Sequence, residues 1–413
     1  MASPTRKNLH PPTQGTPPVK AGGNGDSGPR EARSKWNPTR QSGGIHRQYM
    51  ARALTLAKRA LGHTSPNPLV GAVLVNRGRV LAEGYHRRAG LPHAEIEALR
   101  RAGDQARGAT LYSTLEPCNH TGRTGPCCEA IIAAGVSTVV IAMNDPNPMT
   151  NGRGIARLRR AGIRVVTGML ETKARQMNAP FCKVMTTKMP WVIAKVGQSL
   201  DGKIATVRGE SRWITSAQAR QLGHKWRARV DAVLVGIHTV LTDDPRLTVR
   251  GVLRRKGRPV KVIVDSRLRI PLTARCLSSG SSRQIIIATT VSGGMKRAAL
   301  ERRGAAVLTL PARKGRVPLR RLCRALVARG IQSMLIEGGG EVLASALDER
   351  IVDRVLFCIA PLLIGGRNAP TAYGGAGIAR LSQAIRLEQI TQHRAGPDLC
   401  LEAAVVYPPQ RMR

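Results

Sequence analysis

The sequence is poor in aromatic residues, which make up 3% of its 413 positions and include only two Phe. A core must therefore be built from Leu, Val, Ile and Ala, and a single-strand nucleic-acid groove of stacked rings has little to draw on. No stretch reaches the roughly eighteen consecutive apolar residues that read as a membrane span. Nor does an apolar signal-peptide core follow the basic residues near the N-terminus, so the expectation is a cytoplasmic protein with no membrane partner. Eight cysteines are too few for a disulfide scaffold, and three of them (Cys118, Cys127 and Cys128) crowd one segment. That pattern suits a reducing compartment with a local metal or thiol site.

Acidic residues are also scarce, 25 against 66 Lys plus Arg, giving a formal charge of +41. Such a surplus raises a nucleic-acid reading. Its distribution argues the other way. Residues 1–44 hold seven basic and two acidic residues, 45–170 hold 17 and 7, and 171–413 hold 42 and 16. The excess is spread along the chain rather than gathered in one arm or helix, and it attracts small anions equally well. Specific nucleic-acid binding is not expected.

The length suggests two domains with appendages. Residues 1–44 are rich in Pro, Gly, Ser and Thr without apolar periodicity, and read as a disordered basic extension with no clear targeting helix. A helix over 46–61 and the turn Thr64-Ser65-Pro66-Asn67-Pro68 open the first domain, 45–168. Strands are expected at 70–75, 80–85, 110–115, 138–142 and 164–167, and helices at 94–102, 128–134 and 155–161. Residues 169–190 read as a partly helical linker. A second alternation, 191–408, has strands near 191–196, 232–235, 260–264, 285–288, 306–308, 333–336, 354–359 and 401–406. Its helices fall near 217–229, 319–329 and 342–347. Interleaved strands and helices make both halves α/β; strand order is not legible.

His93-Ala94-Glu95, Glu116-Pro117-Cys118 and a later cysteine carry the first chemistry. One imidazole and two thiolates form a tetrahedral Zn2+ shell with a fourth position left for water, whose pKa the metal lowers. Glu95, two residues beyond the histidine, can take the water proton and return it to a leaving amine. The pattern matches the deaminase signature H-x-E with P-C…C, except that eight residues separate Cys118 from Cys127 in place of two. That longer loop can touch substrate. Cys127, ahead of a helix whose N–H groups favour a thiolate, and the adjacent Cys128 both remain open as third ligand.

These segments resemble bacterial bifunctional riboflavin deaminase-reductases. The resemblance rests on the turn from Thr64 through Val73, Gly84-Tyr85-His86, the His93 triplet, Leu115 through Cys127, and Asp145-Pro146-Asn147-Pro148 with Gly152 and Gly154. Gly125 stands where the family usually has proline. The resemblance implies a cytidine-deaminase-like α/β/α domain with Cys127 as the third ligand. Its substrate would be a diaminopyrimidinone bearing a ribosylamino 5′-phosphate, with Glu95 catalytic. Asn67, His86, His120 and Arg123 would be substrate contacts.

The second half lacks the G-x-G-x-x-G dinucleotide fingerprint. Gly338, Gly339 and Gly340 follow a strand and precede a helix, which permits close phosphate approach or merely a tight turn. Further matches to the same family are Lys195 through Gly202, Trp213-Ile214-Thr215-Ser216, His224, Arg227, Asp231, Asp243-Asp244-Pro245, Arg250, Glu337-Gly338-Gly339 and Gly396-Pro397-Asp398. They imply a dihydrofolate-reductase-like α/β domain using NADPH to reduce the ribosylamino group. Lys195, Arg227 and Arg250 would hold the substrate phosphate or ribose, with Asp244 catalytic. Trp213, Thr215, Ser216, Gly338, Gly339 and Gly340 would bind cofactor. The family also implies a homodimer or larger homo-oligomer of phosphorylated-pyrimidine enzymes. Competing readings are a deaminase with a non-catalytic second half, a nucleic-acid base deaminase, and a zinc-stabilised interaction scaffold.

Overall fold

The computed structural model describes residues 40–120, 125–252, 258–278 and 285–409. Helix α1 (Arg40–Lys58) leads into the hairpin β1 (Gly71–Asn76) and β2 (Arg79–Tyr85). Then come α2 (Ala94–Ala102), β3 (Thr110–Ser113), α3 (Cys127–Ala133), β4 (Thr138–Ile141), α4 (Arg153–Arg160) and β5 (Arg164–Thr167). The sheet order is β2-β1-β3-β4-β5, with β1 antiparallel to both neighbours and β3, β4 and β5 parallel. Adjacent residues of β1 show which helix lies on which face. A side chain on Gly71 would strike the α1 backbone at Ala53, whereas one on Gly84, paired with Ala72, would strike α2 at Ala94. Because neighbouring strand residues point to opposite faces, α1 and α2 cover opposite sides of the sheet.

Helix α1 begins at Arg40, five residues before the expected boundary at 45. The poor helix formers Gly43 and Gly44 marked that boundary in the sequence. They are carried because the next turns bury Met50, Ala53, Leu54 and Ala57, and a helix anchored there extends cheaply.

The expected linker is two helices, α5 (Glu171–Met177) and α6 (Ala179–Thr187), and it belongs to both halves. Between them, the buried Asn178 accepts from Leu69 N (2.8 Å) and donates to Leu69 O (3.0 Å). From α6, Lys183 pairs with Asp353 at 2.5 Å.

The second sheet contains β6 (Trp191–Ser199), β7 (Ala232–Gly236), β8 (Val260–Val264), β9 (Ile285–Thr289) and β10 (Ala306–Thr309). It is completed by β11 (Ser333–Glu337), β12 (Arg354–Ala360), β13 (Arg386–Ala395) and β14 (Asp398–Val406). Their order is β10-β9-β8-β7-β11-β6-β12-β14-β13, parallel except for the last two strands. β7, β9 and β11 are buried at every position, as expected of parallel strands covered on both faces. Their apolar runs were legible for that reason. Strand β13 was not, because it is an edge strand exposed along most of its length, with no alternation to read. Helices α7 (Ala217–Arg227), α11 (Leu319–Val327) and α12 (Gly340–Asp348) match expected segments; the short α8 (Ile237–Asp243), α9 (Arg275–Ser278) and α10 (Met295–Arg302) were missed. Among the described residues no helix is long and apolar enough to cross a membrane.

Candidate active sites

His93 is the residue before α2, Cys118 lies in the loop after β3, and Cys127 is the first residue of α3. The fold brings these three ends together, with one ligand atom from each within 4.8 Å of the others. His93 Nδ1 is 3.2 Å from Cys127 Sγ and 3.6 Å from Cys118 Sγ. In a tetrahedral zinc shell, neighbouring N and S donors stand about 3.5 Å apart, so donor chemistry and spacing both fit Zn2+. Cys128 takes no part. Its thiol donates to the carbonyls of Pro117 (3.3 Å) and Gly154 (3.6 Å), one helical step away from the cluster.

The Cys118 thiol is held down to about 4 by its hydrogen bond with Cys127 and by His93, which outweigh burial, and Cys127 is pushed up correspondingly. The hydrogen bond to Cys118 raises His93. Glu95 is buried in the first turn of α2, and its Oε2 lies 3.8 Å from Cys127 Sγ. Burial raises its carboxyl, and the Ser113 hydroxyl donates to it at 3.0 Å.

Beneath the ligands lies a residue that sequence reading named only as part of a motif. The buried Glu116 carboxylate accepts four backbone N–H groups, from Asp145, Gly152, Gly154 and Ile155, at 3.0–3.2 Å. It thereby pins the 145–152 loop and the first turn of α4 to the Pro117-Cys118 step. Gly154 closes this contact, because a Cβ there would overlap the Pro117 carbonyl.

Asn67 and His86 sit beside the cluster but differ in role. His86 is 2% exposed, and its ring stands edge-on to His93. Its Nδ1 is 3.1 Å from Pro92 O, which can only accept, so Nε2 carries the lone pair and accepts from Asn67 Nδ2 at 3.1 Å. Both ring nitrogens are thus used internally. His86, one of the expected substrate contacts, thereby holds the Asn67 amide through its Nδ2. His120 is exposed, and Arg123 lies outside the described residues.

In the second half, Lys195 on β6 is the register partner of Glu337 at the end of β11. Arg227 binds Glu337 through Nε (2.9 and 3.0 Å) and Nη2 (2.5 Å), and donates through Nη1 to Thr248 O at 3.0 Å. Burial opposes the Glu337 charge, but Arg227, with Lys195 and His224 behind it, holds the carboxyl below its ordinary range. Arg227, expected to grip substrate directly, therefore spends most of its guanidinium on Glu337 and the 248 loop. Arg250 is exposed, its backbone N–H donating to His224 Nδ1 at 3.3 Å.

Gly338 and Gly339 have φ of +75° and +79°, and Gly339 precedes α12, so the glycine run is a left-handed turn into a helix N-terminus. Thr239 Oγ1 faces it, 3.3 Å from where a Cβ on either glycine would sit. Asp243, four residues on and on the same face of α8, accepts from the Ser211 hydroxyl at 3.1 Å. Asp244 turns away, with φ +40° and its Oδ1 accepting Arg275 N at 2.7 Å. The acidic residue facing the 211–216 segment is thus Asp243, while Asp244, the expected catalytic residue, accepts from the backbone of the 275 turn. The spacing of Thr239 and Asp243 was the available signal, hidden because α8 is only seven residues long.

Trp213 is 65% exposed, its ring stacked 4.2 Å from the Arg220 guanidinium. Thr215 packs against Gly197. Ser216 caps α7: its hydroxyl accepts from Ala219 N (3.3 Å) and donates to Ala395 O (2.9 Å). Its one O–H is spent on Ala395, and one acceptor lone pair is left over.

Fold and sites together define a cytidine-deaminase-like zinc-binding half followed by a dihydrofolate-reductase-like half. Residues 44–143 match the cytidine and deoxycytidylate deaminase zinc-binding region, and residues 190–401 match the RibD C-terminal domain. The chain belongs to the RibD family of riboflavin biosynthesis proteins. It is 42% identical over 357 residues to riboflavin biosynthesis protein RibD of Aquifex aeolicus, covering 86% of this chain and 98% of that one. The Escherichia coli K12 protein of that name is 41% identical over 364 residues, covering 86% and 97%. Among solved structures, Acinetobacter baumannii RibD (form 1) is similar at TM-score 0.81 and 38% identity, covering 88% of this chain and 99% of that one. A diaminohydroxyphosphoribosylaminopyrimidine deaminase/5-amino-6-(5-phosphoribosylamino)uracil reductase of Thermotoga maritima gives 0.77 and 34%, covering 88% and 100%.

Proposed function

We propose that the chain hydrolytically removes the 2-amino group of a diaminopyrimidinone bearing a ribosylamino 5′-phosphate, then reduces the ribosylamino group to ribitylamino with NADPH. The observation that carries the reading is the convergence of His93, Cys118 and Cys127 on buried Glu95 in a chain whose residues 190–401 match the RibD C-terminal domain. Zn2+ on those three ligands would lower the pKa of a water toward neutrality. Glu95 takes the proton of the attacking water and delivers it to the amine, so that the ring C–N bond breaks as C–O forms and ammonia leaves. Asn67, held by His86, offers its carbonyl oxygen to a substrate N–H.

In the second half, NADPH when bound would supply the hydride that reduces C1′ of the open-chain sugar. Lys195 and Arg250 bind the substrate phosphate. Arg227 acts through Glu337, fixing it beside Lys195. The Gly338-Gly339-Gly340 turn, the first turn of α12 and the Thr239–Asp243 face of α8 receive the cofactor, with Trp213 and Thr215 at the rim. We further infer a homo-oligomer working in the cytoplasm. All eight cysteines are free thiols, which agrees with a reducing compartment. Size-exclusion with light scattering checks the assembly.

The test supplies each half with its own substrate. Glu95→Gln should abolish ammonia release from the diamino substrate, retain bound zinc, and still consume NADPH when given the deaminated intermediate. Unchanged ammonia release would favour the zinc-stabilised scaffold. Lack of NADPH consumption by wild-type protein would leave a deaminase with a non-catalytic second half.

A further inference from the structure

The turn that presents Asn67 is held from outside its own sheet. Asn67 N donates to Thr64 O at 2.7 Å, and two residues later Leu69 is clamped by Asn178. Between these points, the Pro66 carbonyl accepts Gln332 Nε2 at 2.7 Å, and Gln332 belongs to the reductase half. Gln332 is 6% exposed and its backbone is tied at both ends. Its N–H donates to Asp231 Oδ2 (3.0 Å) and its carbonyl accepts Trp191 N (2.7 Å), the first residue of β6. The same Asp231 oxygen also takes the backbone N–H and the hydroxyl of Ser333, each at 2.9 Å. Asp231 thus fixes the start of β11, and the only freedom left to Gln332 is its side chain, which reaches into the other half.

We propose that Gln332 is a positioning residue for deamination. By fixing the carbonyl of Pro66 it sets where the adjacent Asn67 amide meets the substrate, making the reductase half a structural part of the deaminase site. The proposal rests on the reading of Asn67 as a substrate contact. Gln332 immediately precedes β11 and Glu337 ends it, about 16 Å apart at strand rise, so a change at Gln332 leaves the reductase cluster in place. NADPH consumption is therefore an internal control for folding.

The experiment uses the full zinc-loaded chain and the diaminopyrimidinone ribosylamino phosphate. Gln332→Ala should raise the deaminase KM about three- to tenfold, the worth of one neutral hydrogen bond, with kcat and reductase kinetics near wild type. Gln332→Glu puts an acceptor against the Pro66 carbonyl at neutral pH. Its KM, relative to wild type at the same pH, should recover as pH falls into the carboxylate range of about 4–6, where the protonated side chain donates again. A wild-type KM in Gln332→Ala, or equal loss of both activities in both variants at every pH, overturns the proposal. Asn67→Ala separates the two readings. A wild-type KM there removes the substrate-contact reading and this proposal with it. A raised KM there beside a wild-type KM in Gln332→Ala removes this proposal alone.

Discussion

Removing the Glu116 carboxylate should loosen the metal rather than merely weaken the fold. Its two oxygens accept four backbone N–H groups from the segment between Asp145 and Ile155, and it is joined through the stiff Pro117 to Cys118. Each buried donor left without an acceptor costs about 1–3 kcal/mol, less wherever water can enter. Glu116→Ala orphans all four, for a total cost of about 3–5 kcal/mol after relaxation. Glu116→Gln keeps one acceptor oxygen and turns an NH2 group against two donors, costing about 2–4 kcal/mol. Part of that cost reaches Cys118, because the pinned loop packs Gly154 onto the Pro117 carbonyl. Partners behind a metal ligand are typically worth about 10–100-fold in metal affinity, or 1.4–2.8 kcal/mol. Zinc competition against a chromophoric chelator measures this, and the cobalt-substituted protein reports the thiolate geometry by its ligand-field spectrum. Wild-type zinc affinity and cobalt spectrum in Glu116→Gln would refute the reasoning.

Three further outcomes are expected. Glu95→Gln should lower ammonia release by about 10²–10⁴-fold or more without altering zinc content, read by paired kinetics and metal analysis. Cys127→Ala should lose stoichiometric zinc whereas Cys128→Ala should keep it, since the Cys128 thiol faces the Pro117 and Gly154 carbonyls. The third concerns Asp145, whose carboxyl burial pushes from 3.8 up to about 6. A raised folded-state value means that Asp145 contributes stability below about pH 4 that is lost as pH rises through about 6. Asp145→Asn should therefore stabilise the zinc-free protein at neutral pH, by up to about 3 kcal/mol, and the gain should vanish in acid. Thermal melts across pH check the sign; a variant less stable at neutral pH would contradict it.

What the sequence revealed depended on how local each signal was. The zinc ligands were legible because metal chemistry restricts residue types at fixed spacings, and His93-Ala94-Glu95 states both ligand and proton carrier in three residues. Residue chemistry left Cys127 and Cys128 open, and the family resemblance, with its ligand spacing, implied Cys127. The fold supplies the physical reason, since the first turn of α3 brings the Cys127 thiol to the cluster and the Cys128 thiol to the Pro117 and Gly154 carbonyls. The fully buried strands β7, β9 and β11 announced themselves as apolar runs, while exposed β13 had no pattern to show. His86, Ser216 and Asp244 share one feature that a local reading does not show. A polar residue near a site can serve the substrate or the backbone, and the choice is set by partners distant in sequence: Pro92 and Asn67, Ala395, and Arg275. Gln332 and Glu116 were overlooked for the same reason, since they act through carbonyls and N–H groups that every residue has.

The central claim is that one chain carries both reactions, and a single time course tests it most directly. Ammonia and NADPH are followed together after the zinc-loaded protein is mixed with the diaminopyrimidinone ribosylamino phosphate and NADPH. The account predicts that ammonia appears first, that NADPH consumption follows after a lag, and that the two amounts converge to one each per substrate consumed. Ammonia release with no loss of NADPH, or NADPH loss with no ammonia, would contradict it.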